Sequence, residues 1–226
     1  RQCLFRHCRR RRRHNTPTPR SWQESERYQD RLYLNNGKGG FTMSENMLPD
    51  ITSSGSCVRA ADYDADGDLD LFVGGRIVPG KYPYPAKSYV LRNDLNKFVD
   101  VTHEVCPELE DLGMITDALW TDFNNDGKTD LIVVGEFMPI SFYENSSGKF
   151  VKVKSSGIEN LTGWWNSITA GDFDRDGDMD YIAGNLGLNN NYQVKENYPL
   201  KIFAKDFDDN GSIDPVLACY MRESMD

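Results

Sequence analysis

Four nine-residue segments of the chain align without a gap, and they limit the fold more than any other feature. They are Asp62-Tyr63-Asp64-Ala65-Asp66-Gly67-Asp68-Leu69-Asp70, Asp122-Phe123-Asn124-Asn125-Asp126-Gly127-Lys128-Thr129-Asp130, Asp172-Phe173-Asp174-Arg175-Asp176-Gly177-Asp178-Met179-Asp180 and Asp206-Phe207-Asp208-Asp209-Asn210-Gly211-Ser212-Ile213-Asp214. Each has Asp or Asn at positions 1, 3 and 5, Gly at 6 and Asp at 9. A unit that recurs along a chain marks an array of supersecondary elements that bury their faces against one another. Successive segments start 60, 50 and 34 residues apart. The first two intervals suit one four-stranded unit each, and the third is short.

The spacing carries a chemical reading. Several carboxylates crowded into nine residues repel one another unless a cation sits among them. Carboxylates at positions 1, 3 and 5 wrap one ion when the chain turns tightly, and Gly at 6 permits that turn because it lacks a Cβ. Calcium takes six to eight hard oxygen ligands at roughly 2.3–2.6 Å. Up to four Ca2+ sites are therefore expected. The first uses Asp62, Asp64, Asp66, the Asp68 carbonyl and Asp70, with the Asp68 side chain facing water. The second uses Asp122, Asn124, Asp126, the Lys128 carbonyl and Asp130, so that the Lys128 side chain need not approach the ion. The third uses Asp172, Asp174, Asp176, the Asp178 carbonyl and Asp180. The fourth uses Asp206, Asp208, Asn210, the Ser212 carbonyl and Asp214. The alternative is a set of Asp/Gly turns without metal.

An EF-hand opens with the same nine positions but needs a Glu at position 12 and flanking helices. Position 12 here is Val73, Val133, Ala183 and Leu217. The flanks are short apolar runs, three of them closed by Gly74-Gly75, Gly135 and Gly184, which read as buried strands. Each loop is thus expected to join two strands. A second motif reads strand, turn, strand: Arg31 to Phe41, Ser88–Asp94 to Phe98, and Ile140 to Phe150. Four antiparallel strands per unit describe a propeller blade. The expected fold is all-β, a partial β-propeller: a basic head at 1–27, then propeller repeats over 28–226. The repeats divide into part of a blade at 28–50, blades at 51–110 and 111–160, and a blade at 161–226 that holds the extra loop. The register of that fourth loop is open. It sits either in an outer hairpin or in a shortened new blade, with Pro215 at a strand start or edge. Tyr33, Tyr89 and Phe142 are expected to pack between blades.

On the residues Ala61–Gly74 and Ala170–Gly184, the chain resembles the FG-GAP/VCBS-type repeat of integrin α-chain propellers and of many bacterial surface and secreted proteins. Gly184-Asn185-Leu186-Gly187-Leu188-Asn189 resembles bacterial members in particular. The resemblance covers about residues 31–226 and implies a seven-bladed, calcium-binding propeller. The chain is then expected to be a fragment whose partners include the remaining blades.

Composition narrows the function. Aromatic residues make up 12% of the chain, too many for a disordered polymer despite a mean hydropathy of −0.62. Residues 1–31 hold ten Arg and three acids, so the body carries 16 basic and 32 acidic residues and would repel nucleic acid. The basic head reads as a disordered tail or an artefact, with a nucleic-acid arm as the alternative. The cysteines Cys3, Cys8, Cys57, Cys106 and Cys219 fit no zinc spacing, and a Cys57–Cys106 disulfide is open. No run of 18 apolar residues occurs, so this segment is not expected to span a membrane. Nearly every clustered carboxylate is taken by the loops, and His103 reads as a surface residue. The expected function is non-catalytic protein or glycan binding or adhesion, with Tyr82, Tyr84, Trp164 and Trp165 as contact residues, outside the cell or in its envelope. The alternatives are a propeller segment of a secreted carbohydrate-active enzyme and a purely structural scaffold. Asn145, Asn160 and Asn210 stand in glycosylation sequons.

Overall fold

The computed structural model describes the backbone of residues 2–5 and, in full, residues 28–154, 156–187, 192, 194–195 and 197–220. The arginine-rich run, with His7, Cys8 and His14, lies outside the described residues. In chain order the strands are β1 (Gln2–Phe5), β2 (Leu32–Asn35), β3 (Phe41–Ser44), β4 (Gly55–Ala61), β5 (Asp70–Gly75), β6 (Tyr89–Asn93) and β7 (Phe98–Asp100). A short helix α1 (Thr102–Val105) and a 3-10 turn at Pro107–Leu109 lead to β8 (Met114–Thr121), β9 (Asp130–Pro139), β10 (Ser141–Ser146) and β11 (Lys149–Lys152). The remainder are β12 (Thr162–Gly171), β13 (Asp180–Asn185), β14 (Lys201–Lys205) and β15 (Asp214–Tyr220). No helix among the described residues is long and apolar enough to cross a membrane.

The chain is nearly all β and has the architecture of a partial propeller, without closure into a barrel. Strands β4-β5-β6-β7 form one antiparallel blade, here blade A, and β8-β9-β10-β11 form blade B. The hairpin β2–β3 precedes blade A as a two-stranded sheet. Strand β12 joins two sheets: its first residues pair with β9 (Thr162 opposite Pro139) and its later ones with β13 (Gly171 opposite Asp180).

Residues 161–226 do not make the single blade expected of them. β12 and β13 extend the sheet of blade B, while β14 and β15 stand in a separate sheet with β1. The connecting stretch is rich in Asn, a poor strand former, and its described residues pair through one isolated bridge, Lys195 to Tyr198. The head also departs from expectation, because Gln2–Phe5 forms a strand antiparallel to β15, with Cys3 opposite Cys219. An open sheet edge accepts extended backbone whatever its side-chain pattern.

The core lies between sheets. A strand sends alternate side chains to opposite faces, and the inner strands are apolar on both. In β9, Leu131 and Val133 face blade A, while Ile132 and Val134 face β12, and all four are fully buried. In β5, Phe72 packs toward blade B, whereas Leu71 and Val73 pack toward Leu32, Leu48 and Ile51 of the preceding hairpin segment. Three apolar clusters therefore occupy three seams. Phe142 packs in the seam with β12–β13 and Tyr89 in the seam with the preceding hairpin, as expected of them. Tyr33 stays 52% exposed.

Candidate functional site

Each of the four segments connects two adjacent strands: loop 1 joins β4 to β5, loop 2 β8 to β9, loop 3 β12 to β13 and loop 4 β14 to β15. The fourth loop therefore shares the register of the others, within a hairpin of its own. The loops share one backbone. Position 6 is left-handed in all four (Gly67 φ 99°, Gly127 84°, Gly177 98°, Gly211 83°), and so is position 4 (Ala65 62°, Asn125 56°, Arg175 67°, Asp209 54°). The position 1 carboxylate accepts the N–H of the position 6 glycine at 3.1, 2.8, 3.2 and 2.7 Å in loops 1 to 4. Position 9 accepts the N–H of position 2, for example Tyr63 to Asp70 Oδ2 at 3.3 Å and Phe207 to Asp214 Oδ2 at 3.1 Å.

This wrapping turns the carboxylates toward a common point. Oxygens of Asp62, Asp64 and Asp66 lie within 4.8 Å of one another, as do those of Asp172, Asp174 and Asp180, and those of Asp206, Asp208 and Asp214. Such spacing lets one cation touch all three members of a set. In loop 1, Asp64 Oδ1 and Asp68 Oδ1 are buried and have no hydrogen-bond donor. A buried oxygen without a donor is costly; Asp64 belongs to the converging set, where a hard divalent cation would satisfy its oxygen, so the donor set fits one. The expectation that Asp68 faces water is corrected. Its side chain is half-buried over the loop because the turn at Gly67 folds the next residue back. Burial and then the charges of Asp66, Asp64 and Asp62 push the Asp68 carboxyl up from its ordinary value. In loop 3 Asp176 is the main cause of the same upward push on Asp178.

Loop 2 differs. Asn124 replaces a carboxylate at position 3, and the Lys128 ammonium donates to Asp126 Oδ2 at 2.7 Å, holding that carboxyl below its usual range. The Lys128 side chain thus lies on the loop. In loop 4, Asn210 Oδ1 accepts the Ser212 N–H at 2.8 Å, the bond that Asp66, Asp126 and Asp176 make in theirs.

The position 9 aspartates also lock each blade. Asp70 and Asp130 are fully buried. Asp70 Oδ1 accepts the backbone N–H of Asn93 at 2.8 Å, and Asp130 Oδ1 that of Asn145 at 2.7 Å, fastening the loop to the third strand. Burial raises the Asp70 carboxyl to about 6, and the N–H groups of Asn93 and Tyr63 pull it the other way. The sequence reading missed these asparagines. Their signal was a spacing: Asn35, Asn93 and Asn145 stand opposite Phe41, Phe98 and Phe150 across the outer hairpins. The amide of Asn145 also donates to the Tyr63 carbonyl of loop 1 at 2.6 Å and to the Thr129 carbonyl of loop 2 at 3.0 Å. With 2% exposure, Asn145 is closed to glycosylation in the folded chain.

At the opposite end of the blades, Glu136 of β9 is buried, with Arg76 on one carboxylate oxygen and the Tyr82 hydroxyl on the other at 3.2 Å. Trp164 stands opposite Glu136 across β12–β9 and packs on Phe137, ring centroids 5.1 Å apart. Tyr82 bonds Glu136 and Trp164 stands across the strand pair from it, while Tyr84 is exposed. Trp165 is a seam residue that donates its indole N–H to the Met138 carbonyl at 3.1 Å. Cys57 and Cys106 are separate free thiols, so the open question of a bond between them is answered, and burial pushes both thiols up. His103 is exposed beside Glu110 at 3.4 Å.

The sequence model of the FG-GAP-like repeat matches residues 22–73 and 122–183, together half of the 226 residues. The chain belongs to the FG-GAP-like repeat family. The first FG-GAP-like match runs from before β2 through loop 1 into β5, and the second from loop 2 to loop 3 and β13. FG-GAP-like repeats are generally non-catalytic modules, and they imply further propeller blades. No curated protein matches the chain.

Proposed function

We propose that this chain is a calcium-binding propeller module, non-catalytic, that serves protein or glycan binding or adhesion outside the cell or in its envelope. The observation that carries the reading is the buried, donorless Asp64 Oδ1 within the converging set of Asp62, Asp64 and Asp66. Calcium suits such loops better than magnesium, which demands a tighter octahedral shell and gives up its water reluctantly. When bound, the ion supplies the positive charge that lets the aspartates stay close. The protein's own groups do the rest: N–H donors aim the carboxylates, and Asp70 and Asp130 tie the loops to the outer strands. Held rigid at that end, the blades present Tyr84, Trp164 and the group around Glu136 at the other. That face offers aromatic surface and fixed charge to a glycan or protein.

Calcium titration of the EDTA-treated chain, read by thermal unfolding with magnesium as control, tests the reading. A hundredfold excess over Kd at one site stabilises by about 2.7 kcal/mol, so a calcium-specific rise in Tm is expected. Asp66→Ala and Asp176→Ala should each remove part of that rise. A folded sample whose Tm ignores calcium would sink the proposal.

A further inference from the structure

The four loops share a backbone but not a charge. Loops 1 and 3 carry carboxylates at positions 1, 3, 5, 7 and 9, whereas loop 2 carries them at 1, 5 and 9, with Asn124 at 3 and Lys128 at 7. Loop 1 leaves two buried oxygens without donors, Asp64 Oδ1 and Asp68 Oδ1. Loop 2 has its own cation, the Lys128 ammonium 2.7 Å from Asp126 Oδ2. Its other anchors match those of loop 1, so Asn124 and Lys128 are what set it apart. The Asp122 carboxylate takes the N–H groups of Asp126 and Gly127 at 3.1 and 2.8 Å, and Asp130 is fully buried against the N–H groups of Phe123 and Asn145.

Resting on the calcium reading above, we propose that the loops fill in a set order, loop 1 first and loop 2 last, because Lys128 serves loop 2 as an internal counter-ion. Affinity in oxygen-ligand loops follows the number of ligand charges and the rigidity of the site. An incoming ion at loop 2 must displace or repel an ammonium and meets two fewer carboxylates than in loop 1. Blade B therefore keeps its loop shape in low calcium, and the calcium response of the chain belongs chiefly to loops 1 and 3.

The test uses the whole chain, labelled with 15N and treated with EDTA, with calcium chloride as the probe. The amides of Gly67, Gly127, Gly177 and Gly211 each donate to the position 1 aspartate of their own loop, so each reports one site. Gly67 should shift at the lowest calcium, and Gly127 at a concentration at least about tenfold higher. Lys128→Asp gives loop 2 a fourth carboxylate and should lower the Gly127 midpoint by about tenfold, leaving the other three in place. If that variant disturbs the fold, seen as displaced Gly67 and Gly177 peaks before calcium is added, Lys128→Gln should give a smaller downward shift. Gly127 responding with or before Gly67, or a midpoint indifferent to Lys128, overturns the proposal. Four glycines silent to calcium overturn the calcium reading, and this inference with it.

Discussion

Ala65 sits at φ 62°, and its counterparts Asn125, Arg175 and Asp209 lie between 54° and 67°. For a residue with a Cβ this left-handed region costs roughly 1–2 kcal/mol, less for Asn and Asp, whose side chains bond locally. Ala has no such compensation. Ala65→Asn is therefore expected to raise stability by about 0.5–1 kcal/mol, read as a higher urea midpoint at saturating calcium with an unchanged slope. A lower midpoint would mean that Ala65 makes a contact the longer side chain breaks. The glycine at position 6 was legible in the sequence because its residue type never varies among the loops. Position 4 was not, since Ala, Asn, Arg and Asp occupy it in turn and share no chemistry beyond the backbone they adopt. Asp68 was misread for a related reason. Its identity says nothing of where its side chain points, and only the fold of the turn decides that.

Two residues beyond the last aspartate of loops 1, 2 and 3 stand Phe72, Ile132 and Ile182, on equivalent second strands. The first two are fully buried, while Ile182 is 54% exposed. Ile132→Ala should cost about 2–5 kcal/mol, as large-to-small changes in a packed core do. Ile182→Ala should stay within about 0.5 kcal/mol. Paired denaturation curves check this, and equal costs would show that β13 is covered in solution. The apolar runs after each loop were readable as strands, since β-branched and aromatic residues cluster there between turn residues. Their burial was not readable, because each face of a blade is closed by a different sheet. The position 2 aromatics make the same point. Tyr63 lies between Trp120 and Phe150 of blade B, whereas Phe173 and Phe207 are more than half exposed.

Across the whole molecule, Asp117 links three successive sets of strands. From the inner strand of blade B it receives Arg59 of blade A at 2.5 Å, and its other oxygen accepts the N–H of Ile168 in β12 at 3.1 Å. Asp117→Ala leaves that buried N–H without an acceptor and is expected to cost about 1–3 kcal/mol. A double-mutant cycle with Arg59→Ala should show coupling smaller than the cost of Asp117→Ala alone, because Arg59 is partly solvated. Additive effects would place the contribution of Asp117 wholly in the Ile168 bond. Ties of this kind, between residues 58 and 51 positions apart, leave no local pattern to read. The repeat made the two complete blades visible, but the division of 161–226 turned on a connection with no strand pattern of its own. Asn145 takes this interdependence further. Its amide holds carbonyls of loops 1 and 2 at once, so the outer hairpin of blade B fastens the loop of its neighbour as well as its own. One side chain thus acts as a keystone between neighbouring blades, and removing it would leave a backbone carbonyl in each loop without its donor.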